Sequence, residues 1–541
     1  MKKNTIVIGV MLIGVLVAGY IYTQGQKSSP VMASYFSTDT RNLKEAKQSD
    51  VVTLENGAIF DLTAQIVKKK IGDAEVKMLA YNGMVPGPMI KVTQGAEITL
   101  NFKNETDVPS TIHSHGLRLD NANDGVPDVT QKEVLPGELF TYKLKFPDAG
   151  VYWYHPHVRE DYAQELGLYG NYLVTPTNEN YWNPVNRELA LFLDDILIEN
   201  GAIVPFDKKQ ARRTLMGRFG NVMLVNGDDS YTLNAKQGEV VRLYLTNAAS
   251  TRIFNFTIPG VKIKRVGGDN GAYERDEWQD AVRIAPSERV VVEALFDTSG
   301  MFVMQNKAPE KTTQLGTVIV STDVATPSFV DSFRVLKTHE EVVASIDSFR
   351  KYFDMEPTKR LKLSIDLMGD MGKAMGGGSM SGMGGGGHMM PDGTMMGGDG
   401  SSMMMQTSPD GIEWEDSSQM MNSVSTAENV KWKIVDEATQ KENMNIDWSF
   451  KVGDKVKIRI TNDGKSMHPM QHPIHFHGQR FLILNENGVP NNNLVWKDTV
   501  LVPSGRYVDI LLDVSNPGQW MGHCHIAEHL ESGMMFSFKV K

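Results

Sequence analysis

Three stretches of the chain share one pattern of apolar and polar positions. Residues 92–104 (VTQGAEITLNFKN), 235–247 (AKQGEVVRLYLTN) and 450–462 (FKVGDKVKIRITN) each place a Gly turn before an alternating run that closes on Asn. Alternation with period 2 after a Gly turn predicts a hairpin leading into a strand with one buried face. A second element follows each copy, at 135–146, 284–296 and 502–512. Each of these leads to a glycine, Gly150, Gly300 or Gly518, that opens a short aromatic strand. Short strands punctuated by Gly and Pro at regular spacing predict β-sandwiches. We read three in series, over 50–177, 185–325 and 355–541.

Two segments break the pattern. Residues 368–421 hold 14 of the 31 methionines among Gly, Ser and Asp, with little other apolar content. Such a composition cannot build a core, so the segment reads as a mobile insertion in the third domain. At the N-terminus, Lys2 and Lys3 precede an uncharged, mostly apolar run from Ile6 to Tyr22. Residues 1–33 therefore read as a signal peptide or an N-terminal membrane anchor, and the remainder as extracytoplasmic, in the periplasm or at the cell surface. The formal charge of −10 argues against a nucleic-acid partner. A single cysteine excludes an internal disulfide.

Chemistry enters with the histidines. Of 13, ten fall in four clusters: His113 and His115; His155 and His157; His472, His475 and His477; His523, His525 and His529. The lone cysteine, Cys524, sits between His523 and His525, and Met534 follows. In a strand Cys524 faces opposite to its neighbours, so one segment can serve two metal centres. Cys, His and a weak Met around one ion form a blue-copper ligand set. The middle repeat supplies a control. Five residues after Gly150 and Gly518 come His155 and His523, but after Gly300 the same pair of positions holds Gln305 and Lys307. The pair His113 and His115 aligns with Phe254 and Phe256. Ligands thus come from the first and third domains alone, which predicts a site between them and makes the middle domain a spacer.

These four motifs resemble those of the multicopper oxidase family, including laccases and cuprous oxidases, over nearly the whole exported chain. The resemblance implies an all-β fold of three consecutive cupredoxin-like Greek-key β-sandwich domains and four copper ions as cofactors. It implies a type 1 copper on His472, Cys524, His529 and Met534, and a type 2 copper on His113 and His475. It implies type 3 coppers on His115, His155, His157, His477, His523 and His525. Cys524 would pass electrons to His523 and His525, for four-electron reduction of O2 to water. Asp124 matches a family carboxylate that assists proton delivery, although Asn123-Asp124-Gly125 is also an ordinary turn signal. A second family carboxylate is replaced by Leu530, with Glu528 and Glu531 as neighbours that can substitute. Asp498 reads equally as a turn residue and as a partner of a ligand imidazole.

Thioethers favour Cu(I). His388, Met389, Met390, Met395, Met396, Met403, Met404 and Met405 therefore read as a Cu(I)-gathering segment, and Met467, His468 and Met470 read equally as a relay beside His472 and as packing around it. The expected function is a cuprous oxidase for copper tolerance, with O2 and a one-electron donor as partners and a monomer as the default. A laccase-like oxidase of phenols, Fe(II) or Mn(II) is the alternative enzyme. A non-catalytic copper store or chaperone is the alternative from another class.

Overall fold

The computed structural model describes residues 34–368, 388–389, 395–396 and 408–541. The apolar N-terminal run lies outside the described residues, as do Met390 and Met403, Met404 and Met405 of the methionine segment. Among the described residues no helix is long and apolar enough to cross a membrane.

The three alternating runs become equivalent strands. Glu97–Glu105, Glu239–Asn247 and Lys455–Asn462 each pair in parallel with an earlier strand: Ile59–Ile71, Arg187–Ile196 and Lys359–Leu367 respectively. On the other side each pairs antiparallel with the second repeated element, Leu139–Lys145, Arg289–Phe296 or Tyr507–Asp513. The second sheet of each sandwich contains the strand opened by the repeated glycine: Gly150–His155, Gly300–Lys307 and Gly518–Cys524. Apolar side chains between the two sheets form a separate core in each sandwich.

The closing Asn has a common task in all three copies. Asn104 Nδ2 donates to Val108 O and Val134 O, Asn247 Nδ2 to Arg252 O and Ile284 O, and Asn462 Nδ2 to Met470 O and Val502 O. Each amide is buried and staples two loops together through a pair of backbone carbonyls.

Two expectations need correction. The end of the methionine segment is packed, not mobile: over 408–421, Ile412 is buried, Trp414 Nε1 donates to Asp410, and Arg252 binds Glu415. Ile412 and Trp414 give this stem the apolar anchors that the Gly-Met stretch lacks. In the middle repeat, ladder register sets Thr257 opposite Gln305, where the other repeats set His113 opposite His155 and His475 opposite His523. The counterpart of His113 is therefore Thr257 and not Phe254. A register shift between Met304 and Gln305 accompanies the offset. Between the second and third sandwiches run helices Val330–Arg334 and Glu340–Asp347, a stretch the strand pattern left blank.

Candidate metal centre

Strand pairing builds two pockets back to back. The short strand His113–His115 lies beside Gly150–His155, and His472–Phe476 lies beside Gly518–Cys524. Gly518 has φ +139°, and a Cβ there would fall 2.5 Å from Asn121 of the first sandwich. Asn121 Nδ2 donates to Gln519 O, so this glycine lets the first and third sandwiches touch. Histidines from the two sandwiches then stack in pairs: His113 on His477 with centroids 4.0 Å apart, and His115 on His475 at 3.7 Å.

In the larger pocket most imidazoles turn one nitrogen to the protein and the other inward. Nδ1–H donates to Asp124 O in His113, to Asp498 O in His475, to Pro156 O in His155, to Cys524 O in His523 and to Asp124 Oδ2 in His477. The inward Nε2 of His113, His155, His157 and His475 is buried and has no hydrogen-bond partner. Nε2 of His477 and of His523 stand 3.0 Å apart. Since both rings have spent their hydrogen on Nδ1, two bare lone pairs face each other, which is stable only around a shared cation. His157, His477 and His523 form one triad of converging donors, and His113, His115 and His155 another. His525 completes the wall, its ring 5.0 Å from that of His155 and 5.1 Å from that of His115.

The smaller pocket lies on the opposite side of Cys524. Its Sγ is 3.5 Å from His472 Nδ1 and 3.8 Å from His529 Nδ1, and these nitrogens are 3.3 Å apart. Separations of this size suit three ligands at about 2.0–2.3 Å from one ion. Met534 is fully buried in the same apolar cluster, and its carbonyl accepts from Cys524 N. Trp432 packs edge-on to His472 and lies 4.3 Å from the His529 ring, closing the pocket to water.

Electrostatics point the same way. Burial pushes the imidazoles down: His472 to about 3, His523 to about 4, and His115, His155, His157, His475, His477, His525 and His529 well below the ordinary value. The rings are therefore neutral and keep a lone pair for metal. Burial pushes the Cys524 thiol up, so a thiolate needs a bound cation beside it. Soft sulfur with neutral imidazole is a donor set for copper.

Carboxylates frame the large pocket. Asp124 caps the short helical turn Asn121–Asn123 and is buried, so it is at once a turn residue and a partner of His477. Asp498 accepts from His115 Nε2 at 3.0 Å. Leu530 is buried, and Glu531 helps line a cleft of about 310 Å³ with Glu133, Asp128 and His157. Glu160, missed in the sequence, lies 3.4 Å from His157 Nδ1, and its N–H donates to Glu531. Burial raises the pKa of both carboxyls. Glu528 lies instead beside Thr251.

The substrate residues are only partly brought together. Met470 is buried in the third core, His468 is buried with Nε2 2.8 Å from Met216 Sδ, and Met467 is half exposed. The backbones of His388–Met389 and Met395–Met396 pair antiparallel. Met216, Trp432 and Arg289 were not foreseen, because nothing local in the sequence marks them.

Two sequence profiles described as multicopper oxidase match the chain, over residues 63–179 and 414–541, and these spans carry the four histidine clusters. The chain belongs to the multicopper oxidase family. The oxidase is 25% identical to copper resistance protein A of Escherichia coli, over 92% of this chain and 95% of the relative. It is 24% identical to multicopper oxidase mco of Staphylococcus aureus, covering 85% of this chain and 83% of that one. Its fold matches the solved structure of a multicopper oxidase from Campylobacter jejuni, described as a metallo-oxidase, with TM-score 0.64 and 23% identity over 94% of this chain and all of that one. This multicopper oxidase thus has three cupredoxin-like sandwiches, uses copper, and couples an electron donor to O2.

Proposed function

We propose that the chain oxidises Cu(I) with O2 outside the cytoplasm, 4 Cu(I) + O2 + 4 H⁺ giving 4 Cu(II) + 2 H2O, as a defence against copper. In this reading His472, Cys524, His529 and Met534 hold a type 1 copper. His113 and His475 hold a type 2 copper, and His115, His155, His157, His477, His523 and His525 hold a type 3 pair. Bound copper supplies the one-electron steps at the small pocket and the O2 chemistry at the large one. The protein keeps both pockets dry and joins them through a single covalent segment, His523-Cys524-His525. Asp124, buried against His477, is the proton carrier on the His113 side. On the His157 side, Glu531 lines the cleft, Glu160 stands between it and His157, and the two replace the carboxylate absent at Leu530. All twelve donors at the large and small pockets come from one chain, so a monomer suffices.

The observation that carries Cu(I) as the donor is where the methionine segment ends. Its stem is sealed onto the residue before His472: Glu413 N–H donates to Gln471 Oε1 at 2.8 Å, and Gln471 Nε2 donates back to Glu413 O. The methionine segment therefore rejoins the described chain beside the small pocket. His468 and Met216, close to Trp432, add an imidazole and a thioether there, a soft pair suited to Cu(I). The relatives named for copper resistance support the physiological part of the reading.

Steady-state O2 uptake with Cu(I), Fe(II) and a phenol, in the intact chain and after deletion of 369–407, tests the reading. Keeping 408–421 preserves the packed stem. The expected result is a lower Cu(I) rate with phenol oxidation spared or raised. An unchanged Cu(I) rate sinks the role of the segment, and a phenol preference in the intact chain supports the laccase-like alternative.

A further inference from the structure

Arg289 belongs to the repeat that carries none of the clustered histidines, yet it reaches the large pocket. Its side chain is fully buried and its N–H groups are used on all three sandwiches. Nε donates to Val151 O at 3.1 Å in the first. Nη1 donates to Ser287 O at 3.1 Å and Nη2 to Asn270 Oδ1 at 3.2 Å in the second. In the third, Nη1 donates to Asp498 Oδ1 at 2.7 Å and Nη2 to Asp498 Oδ2. Asp269 completes the clamp: it accepts from Arg289 N at 2.9 Å and pairs with Lys497 Nζ at 3.1 Å, next to Asp498 in sequence.

The clamp decides how one ring presents itself. A carboxylate oxygen can only accept, so the His115 nitrogen facing Asp498, Nε2, carries the hydrogen and Nδ1 keeps its lone pair. That Nδ1 is buried without a protein partner. His113, His155, His475, His477 and His523 do the reverse, spending Nδ1 on the protein. His115 is inverted relative to these five, and Asp498 inverts it.

Asp124 is the natural comparison. Each of these two aspartates offers its carbonyl to one ring and its carboxylate to a ring of the other sandwich. Among the described residues, however, no Arg or Lys forms an ion pair with Asp124, whereas Asp498 has Arg289. The chain also leaves room for that pair directly after His115. Gly116 has φ +84°, and a Cβ there would lie 2.3 Å from Asp498 Oδ2 and 2.8 Å from Arg289 Nη2.

We infer that Arg289 is a positioning residue of the large copper pocket, contributed by the middle sandwich, which orients Asp498 so that His115 binds metal through Nδ1. The inference rests on the donor assignment above. A residue that merely docked the sandwiches would act on both pockets and on overall stability. A positioning residue acts on the large pocket alone.

The test uses the copper-loaded full chain and its Arg289→Met, Arg289→Lys and Asp498→Asn variants. Copper per chain is measured during titration with a chelator, with the blue thiolate band of the small pocket as internal reference and Tm as the stability readout. Outer partners of metal-bound histidines typically change affinity by about 10–100-fold. Arg289→Met and Asp498→Asn should release large-pocket copper at about 10–100-fold lower chelator concentration, with the blue band unchanged. Arg289→Lys, which keeps the charge but loses the two-pronged contact, should fall between. Unchanged release, or release from both pockets together with a large fall in Tm, overturns the inference. Should Arg289→Met fail to fold, Asp498→Asn decides, because it leaves the Arg289 bonds to Val151, Ser287 and Asn270 in place. His115→Ala separates the two levels: if it releases no copper the donor assignment is wrong, and if it does while Arg289→Met does not, only the role of Arg289 fails.

Discussion

Replacing Asn462 by Ala should loosen the small pocket without touching a metal donor. The amide is buried and donates to Met470 O at 2.6 Å and Val502 O at 3.0 Å. Met470 lies two residues before His472, and Val502 is the ladder partner of His472. The substitution removes two buried hydrogen bonds, each at about 0.5–1.5 kcal/mol net, so the local cost is about 1–3 kcal/mol. At about 1.4 kcal/mol per tenfold, that raises the opening equilibrium around His472 by between about fivefold and a hundredfold. The assay is the rate at which a chelator bleaches the blue thiolate band. Asn247→Ala is the matched control: the same staple, with the same two kinds of acceptor, in the sandwich that carries none of the clustered histidines. It should cost comparable stability while leaving the bleaching rate unchanged. Equal bleaching by the two variants, or none by Asn462→Ala, would refute the reasoning.

Cys524→Ser should remove the blue band and reduce O2 uptake to background while the large pocket still binds copper; sustained O2 uptake would exclude Cys524 from the electron path. The metal-free protein should lose stability in acid. The His472 and His523 imidazoles titrate in the folded chain at about 3 and about 4, below the value near 6.5 of an unfolded histidine. As pH falls below about 6.5 the unfolded chain takes up protons that the folded chain refuses, so folding weakens until about pH 4 and, for His472, about pH 3. Between pH 6.5 and 5.5 each such histidine costs about 1 kcal/mol. Thermal melts of the metal-free chain at pH 7 and 5.5 measure this, and equal Tm values would contradict it.

The repeats were legible because each strand states its own case: Gly turn, alternation and closing Asn recur within a dozen residues. The histidine clusters were legible for the same reason, since ladder register brings short motifs together. What stayed hidden acts across long separations. Arg289 meets Asp498 209 positions away, from a strand whose residues are all buried, where a charge has no local justification. Met216 meets His468 across 252 positions, and Trp432 stands beside His529 with no motif around it. The middle sandwich was therefore read as a spacer, although it supplies Arg289, Asp269 and Met216 to the surroundings of the other two. The methionine segment misled in the opposite direction: its overall composition concealed the packed stem at 408–421.

The bond from His477 to Asp124 spans 353 positions and joins the two halves of the large pocket. A chain still being made, or cut short before its last twenty residues, lacks His523 and His525 of that pocket and has no thiolate at all. His113, His115 and His155 converge within the first sandwich, but the triad of His157, His477 and His523 needs both. Completion of both pockets is thus deferred until strand Gly518–Cys524 has paired with His472–Phe476, so an unfinished molecule cannot join the two centres. Insertion of that one strand acts as the licence for full loading.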